Sequence, residues 1–386
     1  MYSFFHIVQP EPSDMLNGLN LENPTDALGF LACAPDSNYN DLLSELAHSM
    51  PIPCIGGTSV GDPFDVSGEP FGTNLSFFGK KDVRHSVVLS DALDKQHARE
   101  QMNDMYRRCV DGLRGEPKLF LAILPVVPNL FIDDFMDELL GLAGDVPVFG
   151  GMVSDDDLSV HRFAVFSGGV SYQERMVLAA FTGGIRPSFG IGCELTVLSD
   201  YSPAITEASE NAILRVDDVP FGDYIAKLGF TAESLDDFPL SIRMRDPEAG
   251  PDELPEINAL IRIEENSGRG IFSNTVRQGH RISVGCLTRD NIVHSTQTCL
   301  DSLIRNMTDA AMEGYRHDVI LCVSCIARYY TMAGGERVEA KLLEQRLPEE
   351  LPKFGYYGFS EICPSPGRDG NPRNRNHGQA IIMCSF

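Results

Sequence analysis

Near the end of this 386-residue chain stand Cys325-Ile326-Ala327-Arg328, then Phe354-Gly355-Tyr356-Tyr357-Gly358-Phe359-Ser360-Glu361, then Asn376-His377 ahead of the apolar run Ala380-Ile381-Ile382-Met383-Cys384. A cysteine and an arginine ending one buried strand, a glycine-flanked Ser-Glu after the next, and a histidine leading a third would gather polar heads at one rim of a sheet. Arg328 offers a planar fork for a ligand carboxylate and Glu361 an anion for an ammonium, so the two together would grip a free amino acid at both ends. Tyr357 and Ser360 would line the same pocket. The bland alternative is an internal Arg328–Glu361 salt bridge that only fixes strand ends. A competing chemistry takes Cys325 as thiolate nucleophile, His377 as base and Glu361 as orienter, which would make the protein a thiol-dependent enzyme.

Other motifs carry less. Cys322-Val323-Ser324-Cys325 with Cys363 and His377 has the residue types of a zinc site, but on a strand residues three apart face opposite sides, so neither metal nor another cofactor is expected. Noncovalent haem through His280, His294 or His377 stays open as a gas-sensing alternative, because the Cys-x-x-Cys-His attachment motif is absent. Gly56-Gly57 and Gly150-Gly151 begin neither a Gly-x-Gly-x-x-Gly nor a phosphate loop with its lysine. These glycines instead let a ligand or a neighbouring strand approach the backbone. The loop Gly367–Asn376 carries three arginines; it reads equally as a lid over an anionic ligand or as a solvated hairpin loop.

The same residues carry a resemblance. The C-terminal run is similar to the signature of the FIST sensory proteins, in which Cys-small-small-Arg is followed by a helix, then aromatic-x-x-Gly-x-x-Glu and Asn-His. Pro203-Ala204-Ile205-Thr206-Glu207-Ala208 through Asn211, Val216-Asp217-Asp218, Pro220 and Tyr224 resemble the junction between that family's two domains. Ile55 to Asp62 resembles its Gly-x-Ser/Thr-x-x-Gly-Glu block, with Asp62 in place of Glu, and Ile326-Ala327 replaces Ala-Gly. The resemblance implies an N-terminal FIST domain over 1–219, a C-terminal one over 220–386, small-molecule binding with amino acids among the candidate ligands, and a role in signalling.

The elements that must position these residues show in the hydrophobic spacing. Met102, Met105, Tyr106, Cys109, Val110 and Leu113 lie on one helical face, the strand Leu119–Leu124 follows, Ile132, Phe135, Met136 and Leu139 mark a second helix stopped at Gly144, and Val146–Phe149 is the next strand. The same unit recurs around Gly29–Ala34, Leu42–Leu46 and Pro53–Gly57, and again as a helix around Leu303–Met312, the strand Val319–Val323, a helix Val338–Leu347 and Phe354-Gly355. Strand-like sequence follows each copy. The expected fold is therefore α/β, with repeated β-α-β-β units forming mixed sheets flanked by helices in two lobes. Between the second and third copies the chain turns acidic and loop-like, with short strands, and is expected to bridge the lobes.

Composition bounds the function. A chain of 386 residues with 43% hydrophobic and 22% charged residues is long enough for more than one core and too apolar for disorder. A formal net charge of −24, with acidic clusters at Asp155-Asp156-Asp157 and Glu349-Glu350, repels phosphate backbones and anionic lipid, so neither nucleic acid nor a membrane is an expected partner. The start, Met1-Tyr2-Ser3-Phe4-Phe5-His6, lacks a secretion-signal layout, and the 10 cysteines, mostly in apolar runs, read as reduced thiols; a cytoplasmic location is expected. The leading expectation is a cytoplasmic small-ligand sensor. With no kinase loop, defensible helix-turn-helix or heptad pattern in the sequence, it would signal in trans through a partner such as a kinase or cyclase.

Overall fold

The protein is described from a computed structural model covering residues 27–49, 52–67, 69–80, 82–127, 130–155, 162–231, 234–250, 252–332 and 337–386. The Met1–His6 start and the Asp156-Asp157 part of the acidic cluster lie outside them.

The repeat seen in the sequence is a repeat in space. In the first copy β1 (Ala27–Cys33), α1 (Tyr39–Ser49) and β2 (Cys54–Thr58) form a parallel crossover, and β3 (Thr73–Gly79) pairs antiparallel with the other edge of β1. The second copy opens with β4 (Val83–Leu89) and α2 (Ala98–Asp111). β5 (Leu119–Leu124) and β6 (Val148–Met152) are parallel, joined through α3 (Asp133–Ala143), whose end is marked by Gly144 at a φ of 57°. β7 (Val165–Ser167) and β8 (Val170–Tyr172) extend the first sheet from β2, and β9 (Val177–Gly183) runs antiparallel between β5 and β4.

The third copy begins with β10 (Ser188–Gly192) and is then interrupted. β11 (Thr196–Val197), β12 (Ile205–Ser209), β13 (Ala212–Val216), β14 (Val219–Pro220), α4 (Phe221–Lys227), α5 (Ser234–Asp237), β15 (Ser241–Arg245), β16 (Glu256–Ile263), β17 (Gly270–Phe272) and β18 (Arg281–Cys286) follow. This region does more than bridge: it builds an eight-stranded antiparallel sheet over its own core of Ile213, Phe221, Ile225, Ile242, Met244 and Phe272. The third copy resumes with α6 (Arg289–Met312), β19 (Ile320–Cys325), α7 (Ile326–Thr331), α8 (Val338–Arg346), β20 (Lys353–Gly358), β21 (Glu361–Pro366), β22 (Pro372–His377) and β23 (Ile381–Ser385). β19 pairs parallel with β20 and antiparallel with β23. Each copy thus sets a central strand between a parallel and an antiparallel neighbour: β3-β1-β2, β9-β5-β6 and β23-β19-β20.

Strand alternation divides the side chains between two kinds of core. Phe30, Leu121, Phe181, Leu321, Val323, Tyr356 and Phe386 face inward to one cluster shared by all three copies. Ile320, Cys322, Ile381 and Met383 face outward under α6 and α8. Burying aromatics of this size is worth roughly 2–3 kcal/mol each, and the central cluster ties the three sheets together.

Two details bear on the site. α6 begins at Arg289, well before the helix expected near Leu303, and Thr288 with Asn291 closes a capping box at its start. The sheets also exchange strands across position 220: β10 lies with β19, β20 and β23, while β21 and β22 extend the sheet of β4, β5, β6 and β9.

Candidate functional site

The residues singled out by the sequence meet at the carboxyl ends of β19 and β20, but they divide into three environments. Cys325 ends β19, and the helix of α7 begins immediately after it, which carries Arg328 to the outer side of the sheet under α6 and α8. There Nε of Arg328 donates to Glu339 Oε2 at 2.8 Å, Nη1 to Ser295 Oγ at 2.7 Å, and Nη2 to Thr296 Oγ1 at 2.8 Å and to the Ile292 carbonyl at 3.3 Å. The partner of Arg328 is thus Glu339, neither a ligand carboxylate nor the Glu361 of the salt-bridge alternative. Burial pushes the guanidinium down, and the Glu339 carboxylate more than offsets it. With both side chains 0% exposed and the fork engaged by α6 and α8, Arg328 is an internal clamp in this structure.

Glu361 opens β21 on the inner side. Its Oε2 accepts the Ala380 N–H at 3.1 Å, Oε1 has no hydrogen-bond partner among the described residues, and His377 lies directly opposite in the antiparallel pair. Burial holds the carboxyl well above its usual range, offset in part by the Ala380 N–H and the Cys325 thiol. Cys325 is raised too, first by burial and then by the neighbouring Glu361 charge. His377 is pushed down to about 4 by burial, and its Nε2 donates to the Cys363 carbonyl at 3.1 Å. Cys325 and Glu361 are therefore neighbours and His377 stands opposite Glu361 in the ladder, with its ring engaged by the Cys363 carbonyl. Near neutral pH, however, the thiol is protonated and the imidazole uncharged, and a thiol in that state is a poor nucleophile.

Tyr357 and the glycine pair belong to the seam between sheets. The Tyr357 N–H donates to Ser59 Oγ at 2.9 Å, and its carbonyl accepts from Ser154 Oγ. A Cβ on Gly56 would stand 1.7 Å from the Leu31 carbonyl oxygen, and one on Gly57 2.2 Å from Val153 Cγ1. Of the two roles open to these glycines, the close approach of a neighbouring strand is the one present. The void they border with Tyr356 is about 10 Å³, room for one water at most, and the Tyr356 hydroxyl beside it lacks a partner.

Ser360 leads outward. Its Oγ donates to Asn376 Oδ1, Asn376 Nδ2 donates to Asp133 Oδ1 at 2.8 Å, and Asp133 Oδ2 accepts the Thr275 N–H at 2.7 Å. Asn376, Asp133 and Thr275 line a cleft of about 580 Å³ between α3, the β15–β16 hairpin, the segment Asn274–His280 and the β21–β22 hairpin. Arg245, Arg277, Arg368, Arg373 and Arg375 line it together with Asp133, Asp137, Asp246, Glu253 and Glu256. The arginine loop is docked onto the acidic segment: Arg368 sits 2.9 Å from both Asp246 and Glu248, and Arg375 pairs with Glu253. Among the described residues His280 Nδ1 is buried without a hydrogen-bond partner, and Asp137 is raised by burial with Arg277 partly offsetting it.

Of this cleft the sequence had indicated only the arginine loop and His280, the latter in another role. Asp133, Asp137, Arg277 and Glu253 carry no motif, because the cleft is assembled from segments distant in sequence. The three histidines weighed for haem do not converge: His280 lines the cleft, His377 is buried beside Cys363, and the exposed His294 lies 3.7 Å from Glu194. Among the described residues no group of three or more His, Cys, Asp or Glu side chains is arranged to hold a metal ion.

Three like-built β-α-β units with a polar cleft at the edge of an inserted sheet define a repeat-built α/β protein. The FIST N domain profile matches residues 27–219 and the FIST C domain profile residues 221–364, so the chain belongs to the FIST family, whose domains are associated with sensory signal transduction. No curated protein matches the chain. Among solved structures it is similar to one described as "Cyanuric acid hydrolase: evolutionary innovation by structural concatenation", at 9% identity over 99% of this chain and 98% of that one, with a TM-score of 0.33. No helix among the described residues is long and apolar enough to cross a membrane.

Proposed function

We propose that the protein is a cytoplasmic sensor that binds a small polar ligand in the cleft between α3, β15–β16 and β21–β22, and acts without catalysis through a signalling partner in trans, such as a kinase or cyclase. The observation that carries this reading is the cleft itself: about 580 Å³, lined by both arginines and carboxylates, and closed on one side by a hairpin held through ion pairs. Pockets of this size accommodate small molecules. A zwitterion such as an amino acid suits the lining, since its carboxylate can take over an arginine from a protein acid while its ammonium takes the acid released.

Signal transfer follows from the hairpin's position. β21 and β22 belong to the same sheet as β6 and β5, and their tip meets Asp246 and Glu248 at the edge of the inserted sheet, so a ligand that favours one hairpin position shifts the population of arrangements between the two sheets. A thermal-shift and calorimetric screen of amino acids and related metabolites tests the proposal. Arg277→Gln and Asp137→Asn should each weaken a hit at least about tenfold, or roughly 1.4 kcal/mol. A hit whose affinity is the same in both variants would place the ligand elsewhere.

A further inference from the structure

A second concave site lies on the inserted sheet, and its charge is of the opposite kind to the protein as a whole. Arg243 and Arg245 alternate along β15, so they share a face; across the ladder Arg243 stands opposite Ser283, and Arg245 directly opposite Arg281. Like charges in directly opposed positions of an antiparallel pair repel, and a chain of net charge −24 has carboxylates in excess to relieve them. None does so. Among the described residues none of the three arginines makes an ion pair: Arg245 donates to the Gly250 carbonyl at 3.0 Å and Arg281 to the Ser202 carbonyl at 2.7 Å. Asp246, which itself lines the hollow, is engaged by Arg368 and the Glu248 N–H, and Asp217 by Tyr201 and the Ala204 N–H. The three guanidiniums, with Ser202 and Ser283, line a hollow of about 400 Å³.

We infer that this hollow is a binding site for a soluble phosphate ester, distinct from the ligand cleft. Three planar forks can surround a dianionic phosphoryl group with paired hydrogen bonds, and the serine hydroxyls add further donors. The bound dianion would also relieve the Arg245–Arg281 repulsion. A soluble ester is favoured over a lipid headgroup because the excess negative charge on the rest of the surface opposes approach to an anionic bilayer. The site shares Arg245 and Asp246 with the cleft, but Arg243, Arg281 and Ser283 line the hollow alone.

The test is calorimetric titration with inorganic phosphate, then with a phosphate monoester, at constant ionic strength. Saturable one-to-one binding is expected, weakened at least about tenfold in Arg243→Gln and in Arg281→Gln, with unchanged melting temperatures showing that the variants fold. The same variants should leave the response of the cleft to its own ligand intact, which separates failure here from failure of the sensor reading. Equal phosphate binding by the Arg243→Gln/Arg281→Gln double variant overturns the inference, as does the absence of saturation. Co-sedimentation with phosphoinositide vesicles in the absence of soluble phosphate binding would overturn it in favour of a membrane.

Discussion

Arg328 and Glu339 face each other across a buried gap of 2.7 Å between Nη2 and Oε2, with neither side chain exposed. The pair locks the turn after β19 to α8, and Ser295 and Thr296 of α6 complete the fork. Removing one member leaves the other buried and charged, so Glu339→Gln and Arg328→Ala should each lower stability by roughly 3 kcal/mol or more in urea unfolding. The joint apolar replacement Arg328→Met with Glu339→Leu should recover most of that loss. If Arg328→Ala unfolds no more easily than the wild type, the clamp is not structural and a ligand role for Arg328 returns.

The Cys325 thiol is held protonated by burial and by Glu361. Slow alkylation by iodoacetamide is expected near pH 7.5, rising only in denaturant. Fast, single-site labelling of the folded protein at Cys325, read by mass spectrometry, would revive the thiol-enzyme alternative.

His377 titrates near 4 in the folded protein, against about 6.5 when unfolded. The native state therefore declines a proton that the unfolded chain accepts, so this residue's contribution to stability is full above about pH 6.5 and is lost as pH falls toward 4. Its largest slope is about 1.4 kcal/mol per pH unit. Denaturation followed from pH 7 to pH 4 should fall less steeply in His377→Gln than in the wild type. An unchanged slope would mean that His377 is already charged in the fold.

Glu361 works in the opposite sense. A carboxyl whose folded pKa is raised binds a proton that the unfolded chain releases, so it subtracts stability progressively as pH rises above the ordinary carboxylate range. Glu361→Gln should therefore be more stable than wild type at pH 8, with the gain shrinking toward pH 5. A less stable Gln variant at pH 8 would show that the folded site favours the carboxylate, as a bound cation at the unpartnered Oε1 would make it do.

Gly57→Ala should destabilise the protein by roughly 1–3 kcal/mol, because its methyl group would meet Val153 Cγ1 and the Ala164 carbonyl. Lost ligand response with unchanged stability would instead put the glycine at a binding surface.

The repeat was legible in the sequence because its strands and helices are buried on regular faces: Leu119–Leu124 is apolar throughout, and Met102, Met105 and Cys109 recur at helical spacing. The first half of α6 was not. Asn291, Ser295 and Thr296 occupy its buried face, and these polar residues, which cap the helix or hold Arg328, break the apolar stripe that reveals a helix. The identity of the Arg328 partner was hidden for the same reason, since Glu339 is one of two acids on a helix with only a few buried residues. Tertiary position, not local pattern, chooses between Glu339 and Glu361. The cleft was still less legible, as its walls come from α3, two hairpins and the approach to β18, none marked by a motif.

The exchange of strands across position 220 limits how the gene can be cut. A fragment ending at residue 219 would keep β10 without β23, its hydrogen-bonding neighbour, and would leave β6 bare where β21 belongs. The complementary fragment would expose the matching edges, with the Tyr357 N–H and carbonyl deprived of Ser59 and Ser154. Unpaired edges of this kind invite aggregation when each piece is made alone. Produced together, the two pieces carry matching halves of the same ladders and should reassemble as a noncovalent heterodimer, a ready basis for a split reporter.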